Sequence, residues 1–267
     1  MAGRQEDYQV ARELRAAGGR EPAAAEIIRA ESVGYSYKET VALRDVSFAL
    51  PAGQTLAVVG PSGCGKTTLL SLVAGLLRPT EGGLTVAGEP VNPRRPGTAL
   101  IMQDYGLLPW KTVRENAALG LVIRNMPRDR ADRALAEVGL KEVGSRWPHQ
   151  LSGGQRQRVA IARSLALEPD LLLMDEPFSA LDALTREEMQ DMLLSIWRRH
   201  GTSMVLVTHS IAEAVYLGQQ IMVLSPRPGR VVGHFQNSSV GDRRGRAFHE
   251  LVNEVRDTLE KGVGTHG

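Results

Sequence analysis

The chain has 267 residues, enough for one large α/β domain or two small ones with an apolar core. Its 32 Lys and Arg residues nearly balance 30 Asp and Glu residues, so the overall charge gives no reason to expect a nucleic-acid partner. The longest strongly apolar stretch, residues 69–77, is far shorter than the roughly 20 residues of a membrane-spanning helix. Residues 1–10 lack the apolar centre of a secretory signal, so we expect the protein to remain in the cytoplasm.

The first part of the chain predicts an extension ahead of a compact domain. Residues 1–26 are rich in Ala, Gly, Arg and Glu, and Gly18, Gly19 and Pro22 interrupt any long helix. We therefore interpret residues 1–26 as a mobile extension and expect the ordered domain to begin near Ile27. No internal repeat is visible, which predicts a single copy of the domain.

Apolar periodicity then predicts strands that alternate with helices. The predicted strands are 55–60, 84–87, 98–103, 170–175, 203–208 and 220–224. The predicted helices are 66–75, 112–124, 127–138, 153–167, 183–199, 211–217 and 248–259. This alternation favours a mostly parallel sheet flanked by helices, with a helical insert at about 104–167 and a helical tail over 236–267.

A phosphate-binding pattern, GxxxxGK[ST], lies at Gly60-Pro61-Ser62-Gly63-Cys64-Gly65-Lys66-Thr67. It follows a predicted strand and opens a predicted helix, which is the context that this Walker A pattern requires. The glycines let the loop turn its N–H groups toward a phosphate, and the helix start adds partial positive charge. Lys66 supplies a mobile charge for the β- and γ-phosphates, the Thr67 hydroxyl can bind Mg²⁺, and Thr68 is predicted to contact the α-phosphate.

Cys64 is the single cysteine of the chain, so no internal disulfide can form. Its position in the phosphate-binding loop, where a small residue is needed, favours a packing role. The alternative is a redox-sensitive thiol whose pKa is lowered by the helix start and Lys66. We do not expect a catalytic thiol, because phosphoryl transfer to water needs no covalent nucleophile.

Two adjacent acids close an apolar run at Leu171-Leu172-Leu173-Met174-Asp175-Glu176, the Walker B pattern. Because this strand is apolar throughout, we predict that it is buried at the centre of the sheet. Its carboxyl end then lies at the edge of the sheet where α/β folds bind their ligands. We predict that Asp175 holds Mg²⁺, chiefly through water. Glu176 is the predicted general base that polarises the attacking water.

A third motif, Leu151-Ser152-Gly153-Gly154-Gln155, lies between the other two and is called the signature below. In order and spacing, the three motifs resemble those of ATP-binding cassette (ABC) ATPases. The resemblance covers about residues 27–235 and implies an α/β fold of the P-loop NTPase class, with a mostly parallel core sheet, an N-terminal antiparallel β part and a helical subdomain carrying the signature. It also implies that ATP and Mg²⁺ are cofactors, and that residues 152–155 form a second anion-binding helix start that caps ATP held by another protomer.

The same resemblance assigns roles to four further positions. Gln103 aligns with the Q-loop glutamine, which binds Mg²⁺ and senses the γ-phosphate, and His209 aligns with the switch histidine that contacts the γ-phosphate. Tyr37 matches the aromatic residue that stacks on adenine, with Tyr35 as the competing candidate. Asp182 belongs to the D-loop that links the two sites of a dimer, and it is also a candidate helix cap.

Three segments, residues 102–116, 174–186 and 224–230, are similar to the nitrate, sulfonate and taurine group of bacterial importers. The similarity implies an ATP-hydrolysing subunit that works at the cytoplasmic face of the membrane on uptake of a small anionic solute. The implied partners are a second cassette, by default another copy of this chain, an integral-membrane permease and, indirectly, an extracytoplasmic solute-binding protein. Pro109 and Trp110 would lie near the groove for the permease, although simple packing is an equal interpretation of Trp110.

Two other functions remain open at this point. An exporter or lipid-transfer ATPase would share the fold, and only the group-specific segments argue against it. A soluble ABC ATPase that acts on DNA or ribosomes is less favoured, because neither a long coiled coil within residues 66–151 nor a tandem cassette is present. The Arg-rich stretch from Arg227 to Arg246 predicts either a solvated surface or contact with anionic lipid headgroups.

Overall fold

The structure is a computed structural model that describes residues 25–264, the last two by their backbone alone. The predicted mobile extension, residues 1–26, lies outside the described residues except for Ala25 and Glu26. The first strand begins at Glu26, next to the predicted domain start at Ile27.

A four-stranded antiparallel sheet forms the N-terminal part of the described chain. Its strands are β1 (Glu26–Tyr37), β2 (Thr40–Pro51), β4 (Glu81–Val86) and β5 (Glu89–Pro90), in the order β2-β1-β4-β5. One face is apolar and buried, as the alternation of Ile28, Ala30 and Leu84 with polar neighbours requires. The sheet therefore covers one side of the molecule as a layer.

A six-stranded sheet forms the centre. Its strands are β3 (Thr55–Val59), β6 (Thr98–Ile101), β7 (Leu171–Asp175), β8 (Ser203–Thr208), β9 (Gln220–Leu224) and β10 (Val231–Gln236). The spatial order is β10-β9-β3-β8-β7-β6, and every neighbouring pair is parallel except β10 with β9. The predicted fold class, with a mostly parallel core sheet and an antiparallel part, is confirmed. Strand β10 was not predicted from the sequence.

Helices cover both sides of this sheet. They are α1 (Lys66–Val73), α2 (Val113–Ala117), α3 (Leu119–Ile123), α4 (Asp129–Glu137), α5 (Gly153–Leu165), α6 (Ala183–His200), α7 (Ile211–Leu217) and α8 (Arg246–Gly264). Single 3₁₀ turns lie at Lys141–Val143 and Pro148–Gln150. Among these residues no helix is both long and apolar enough to cross a bilayer.

The prediction of one continuous helix over residues 112–124 is wrong. The segment forms two helices, α2 and α3, which meet at Ala118. The buried residues Val113, Ala117 and Leu121 keep a helical spacing across the break, so periodicity alone could not reveal it.

Two apolar cores lie on opposite faces of the central sheet. Alternate residues of β7 belong to different cores: Leu171 and Leu173 face α1 and the antiparallel sheet, whereas Leu172 and Met174 face the other helices. A strand buried on both faces is held rigidly, so the residues that follow its carboxyl end are fixed in place.

Candidate nucleotide site

Four parallel strands bring Walker A, Walker B, Gln103 and His209 to one edge of the central sheet. The register aligns Val59 with Thr208, Val207 with Asp175, and Met174 with Ile101. The carboxyl ends of β3, β8, β7 and β6 are therefore neighbours. The residues that follow them are the phosphate-binding loop, His209, Glu176 and Gln103.

The phosphate-binding loop closes around the side chain of Lys66. Its Nζ donates hydrogen bonds to the carbonyls of Gly60 (2.8 Å) and Pro61 (3.1 Å). Gly65 has φ of 108° and precedes α1, and a Cβ there would lie 2.6 Å from a methyl carbon of Leu43. Only glycine fits that position, so the loop is tied to this helix start.

Cys64 is buried within this loop. Burial raises the pKa of its thiol, and the nearby Lys66 ammonium, which favours the thiolate, opposes that effect only in part. The side chain belongs to the core beneath the antiparallel sheet. These observations favour the packing interpretation over a reactive, acidified thiol.

The two predicted Mg²⁺ donors from Walker A and Walker B are in direct contact. The Thr67 hydroxyl donates to Asp175 Oδ1 at 3.2 Å. Burial raises the pKa of the Asp175 carboxyl, an effect that the Thr67 hydrogen bond opposes and neighbouring Glu176 increases. A hydroxyl and a carboxylate are the hard oxygen ligands that Mg²⁺ prefers, so the residues fit this ion. Across residues 25–264, no group of three or more His, Cys, Asp or Glu side chains forms a metal cage of protein ligands alone.

Glu176 and His209 face one another. The Nδ1 atom of His209 lies 3.1 Å from Glu176 Oε2, and the histidine side chain is 61% exposed whereas the glutamate is 23% exposed. Glu176 adopts φ of 43°, an unusual backbone conformation for a residue with a side chain. This turn directs the chain away from β7 and leaves the carboxylate at the sheet edge beside His209.

A buried network behind His209 was not found by sequence reasoning. Glu213 is 6% exposed and accepts a hydrogen bond from the Thr208 hydroxyl at 2.6 Å. Arg186 lies 3.6 Å from the same carboxylate and also donates to the carbonyl of Leu181 at 2.8 Å. Burial raises the pKa of Glu213. The network connects the turn that carries His209 to the D-loop before α6. The one sequence signal for it is the Ser210-x-x-Glu213 pattern, which is typical of a helix start.

Tyr37 lies beside the phosphate-binding loop. Its hydroxyl is 3.4 Å from the hydroxyl of Thr68, and the residue is 49% exposed. Tyr35 packs edge-on against the Tyr37 ring at 4.8 Å and is partly buried against the core. The ring available to stack on a base is therefore that of Tyr37.

The signature residues lie at a different helix start. Ser152 caps α5, with its hydroxyl accepting from Gln155 N–H at 3.2 Å, and Gln155 Oε1 accepts from Ser152 N–H at 3.1 Å. Asp182 caps α6 through Thr185 N–H at 3.0 Å, which lowers the pKa of its carboxyl. Within the described residues, none of these hydrogen bonds reaches the phosphate-binding loop. The structure thus brings together Walker A, Walker B, His209 and Tyr37, but not the signature or Asp182.

Comparison with known proteins gives consistent matches. A model of the ABC transporter family matches residues 43–179. The taurine import ATP-binding protein TauB of Rhizobium johnstonii is 47% identical over 238 residues, covering 84% of this chain and 91% of that protein. The protein of that name from Chromobacterium violaceum is 48% identical over 205 residues, covering 75% and 78% of the two chains.

Solved structures agree with these sequence matches. The cbiO1 protein of Clostridium perfringens, part of the ABC transporter complex cbiONQ, has a TM-score of 0.75 and 27% identity, covering 89% of this chain and 97% of that one. The dimeric bacterial ABC transporter cassette MJ0796 has a TM-score of 0.70 and 32% identity, covering 78% and 98%.

The chain belongs to the ABC transporter family. The resemblance predicted from the three motifs is confirmed, and the chain is the ATP-binding, ATP-hydrolysing subunit of an ABC importer.

Within this ABC cassette, Gln103 and the loop after it follow β6, the outermost strand next to β7 at the sheet edge that carries the phosphate-binding loop. Gln103 is exposed just beyond β6. Trp110 is 67% exposed, and beside it a groove of about 330 Å³ is lined by Lys111, Thr112, Arg114, Glu115, Leu119 and Val122 among others. The exposure of Trp110 favours a surface contact over the packing interpretation.

Proposed function

We propose that this cassette drives uptake of a small sulfonate of the taurine type through a membrane permease. The observation that carries the proposal is the 47% identity to a taurine import ATP-binding protein over 84% of this chain. The intact pair of Glu176 and His209, 3.1 Å apart, supports a hydrolysing rather than a regulatory cassette.

ATP binding is assigned to the phosphate-binding loop and its neighbours. Gly60, Pro61, Ser62, Gly63, Cys64, Gly65, Lys66 and Thr67 surround the phosphates, and Thr68 contacts the α-phosphate. Lys66, now bonded to loop carbonyls, supplies the positive charge to the β- and γ-phosphates. Tyr37 stacks on the adenine, which is recognition of a ring face and discriminates little between bases.

Mg²⁺ is assigned to Thr67, Asp175 and Gln103. The contact between the Thr67 hydroxyl and Asp175 supports this assignment, because both oxygens already lie together. When bound, the ion neutralises charge on the β- and γ-phosphates. Glu176 then orients and deprotonates the attacking water, and His209 holds the γ-phosphate and the Glu176 carboxylate in one arrangement.

Two copies of the chain are proposed to close head to tail around two ATP molecules. Ser152, Gly153, Gly154 and Gln155 present the start of α5 to the γ-phosphate bound by the partner subunit, and Asp182 lies at the same interface. Support comes from the exposure of Ser152 at the start of α5 and from its hydrogen bonds with Gln155, which use no group of the phosphate-binding loop. The dimeric neighbour MJ0796 supports this assembly.

Closure is proposed to be coupled to a permease at the cytoplasmic face of the membrane. The exposed Trp110 and the groove beside it form the proposed contact. An extracytoplasmic solute-binding protein would deliver the solute, so the selectivity for taurine resides in those partners. ATP shifts the cassette pair toward the closed state, and hydrolysis reverses it.

Co-purification tests the coupling. A tagged Glu176→Gln variant is trapped with ATP in its native cells, the membranes are solubilised gently, and bound proteins are identified. We expect a multi-span permease. Nucleic acid or ribosomal proteins without a membrane partner would contradict the transport function.

Reconstitution then tests the solute. The captured permease, the wild-type cassette and the binding protein are placed in proteoliposomes, and ATP-dependent uptake of labelled taurine is compared with that of nitrate and a longer alkanesulfonate. We expect taurine uptake that is absent with Glu176→Gln. Uptake of nitrate alone would retain the importer but reject the sulfonate.

A further inference from the structure

The turn that carries Gln103 is held from the signature helix by one side chain. The guanidinium of Arg163, on α5, donates to the carbonyl of Gly106 through Nη1 and to the carbonyl of Tyr105 through Nη2, both at 2.6 Å. The two carbonyls are consecutive, and Tyr105 and Gly106 have φ of 64° and 54°. A planar fork of donors therefore fits this left-handed turn, which a single donor could not grip at both points.

The rest of the turn is fixed to the same grip. Asp104 Oδ1 accepts from the N–H of Gly106 at 3.1 Å, and the N–H of Tyr105 donates to the carbonyl of Met102 at 3.0 Å. The Tyr105 ring packs against the core of the helical side. These hydrogen bonds orient the turn from Met102 to Gly106 relative to Arg163. Gln103 lies within this turn.

Arg163 is committed to this contact by its surroundings. It is partly buried, and burial lowers the pKa of its guanidinium while Asp104 acts in the opposite direction. A partly buried cation that loses its hydrogen bonds is destabilised, so Arg163 and the turn move together.

The continuation of the loop is held by the helical side as well. Asn116, fully buried on α2, donates through Nδ2 to the carbonyls of Leu108 and Lys111, each at 3.0 Å, and accepts from Leu108 N–H at 2.8 Å. Gln103 therefore emerges from the core sheet, whereas the turn around it is positioned by α5 and α2. The same α5, a helix of 13 residues, begins at the signature.

We propose that Arg163 is a positioning residue for Gln103, which links the placement of the signature helix to the Mg²⁺ and phosphate contacts of the same subunit's own nucleotide site. The inference rests on the role proposed for Gln103. Because α5 is a rigid element, a shift of Ser152 against the partner's nucleotide displaces Arg163, and with it the turn from Met102 to Gly106.

The test is a double-mutant cycle with Gln103→Ala and Arg163→Ala in the full chain. The first readout is the Mg²⁺ concentration for half-maximal ATPase activity. The second, without turnover, is equilibrium binding of a fluorescent ATP analogue with Mg²⁺ and with EDTA. The half-maximal Mg²⁺ concentration and the ratio of the Kd values with EDTA and with Mg²⁺ do not depend on the fraction of protein that is folded. Partial misfolding of Arg163→Ala therefore does not imitate the effect.

Arg158→Ala is the matched control on the same helix. Its guanidinium contacts the carbonyl of Val138 at 3.2 Å and Glu188 at 3.5 Å, away from the turn. Arg163→Lys retains the charge and one donor position, so it should restore part of the Mg²⁺ response.

We expect Gln103→Ala and Arg163→Ala each to raise the Mg²⁺ requirement about tenfold, and the double variant to add little to either. Arg158→Ala should stay within about twofold of wild type. An unchanged Mg²⁺ requirement in Arg163→Ala, or multiplied effects in the double variant, would overturn the positioning role while leaving Gln103 intact. No effect of Gln103→Ala would instead reject the role of Gln103, and the link with it.

Discussion

Two helix starts in this molecule are suited to bind phosphate, and they differ in what surrounds them. The start of α1 is enclosed by its own chain: Lys66 bonds to loop carbonyls, Thr67 contacts Asp175, and Thr68 contacts Tyr37. At the start of α5, Ser152 and Gln155 bond to one another. The first region is a phosphate-binding loop formed within one chain, whereas the second, in the proposed dimer, meets a ligand only when that ligand is bound by the partner subunit.

The two helix starts also differ in how closely ligand binding is tied to folding. The capping box of Ser152 and Gln155 satisfies N–H groups of α5, so that helix start is stable without any ligand. At α1 the residues proposed to bind phosphate are also packed into the core, as Cys64 and Gly65 illustrate. Substitutions at the first site are therefore expected to affect nucleotide binding and stability together, whereas conservative ones at the second affect dimer closure.

The largest effect is expected for Glu176→Gln, which stops the chemistry at the sheet edge and leaves the signature intact. Removal of a general base should lower the ATPase rate roughly 100- to 1000-fold. In the presence of ATP, the variant should then accumulate as a stable dimer, measured by size-exclusion chromatography with light scattering. Glu187→Gln, an exposed change on α6, is the control and should behave as wild type. Rapid hydrolysis by Glu176→Gln would remove this residue from the mechanism.

Ser152→Arg should affect the other helix start alone. A bulky cation at this surface blocks approach of the partner's nucleotide, so the ATPase rate should fall roughly tenfold or more. Binding of ATP to the monomer, measured by equilibrium dialysis, should change by less than about threefold, because Walker A is untouched. Ser152→Thr keeps the hydroxyl cap and should retain most activity. Unchanged ATPase activity in Ser152→Arg would contradict a role across the interface.

A smaller effect is expected for Tyr37→Ala. Loss of one stacking contact, about 1 kcal/mol, should raise the Kd for ATP about fivefold with little change in the maximal rate. Nucleotide titration of Tyr37→Ala and Tyr35→Ala, compared at equal stability, distinguishes the two candidates. A larger increase in Kd for Tyr35→Ala would assign the stacking role to Tyr35.

The smallest effect concerns two acids outside these two helix starts, Asp182 at the start of α6 and Glu213 on α7, whose pKa values shift in opposite directions. The pKa of Asp182 is lowered by its capping bonds, so the stability that it contributes is present above the unfolded value, about pH 4, and is lost as pH falls through the folded value. The pKa of Glu213 is raised by burial, so its contribution is present below about pH 4.5 and is lost as pH rises through the folded value.

Urea unfolding between pH 3 and pH 8 checks this contrast, with midpoints compared to wild type at each pH. Asp182→Asn should be less stable than wild type near neutrality, and the gap should narrow in acid. For Glu213→Gln, the stability relative to wild type should be highest near neutrality and decrease toward acid, with midpoint changes of a few tenths molar urea. Parallel curves for both variants would show that neither carboxylate is perturbed as described.

The sequence predicted local features well because their patterns are local. The strand before Lys66, the helix after it, and the strand ending at Asp175 follow from short apolar runs next to recognisable motifs. Strand β10 was missed because Val231–Gln236 is an edge strand, and its residues alone do not indicate that it pairs with β9. The grip of Arg163 on Tyr105 and the contact of Arg186 with Glu213 join residues far apart in sequence, and no spacing rule identifies such pairs.

The order of strands has a consequence for the way this protein is made. Strand β8 is synthesised after β3 and β7, yet it lies between them. While the ribosome has not yet released residues 203–208, the Walker A and Walker B strands have no common neighbour, and Thr67 cannot be held against Asp175. A nascent chain should therefore acquire affinity for MgATP late and in one step, when β8 inserts, so the nucleotide acts as a check on completed folding rather than as an early guide.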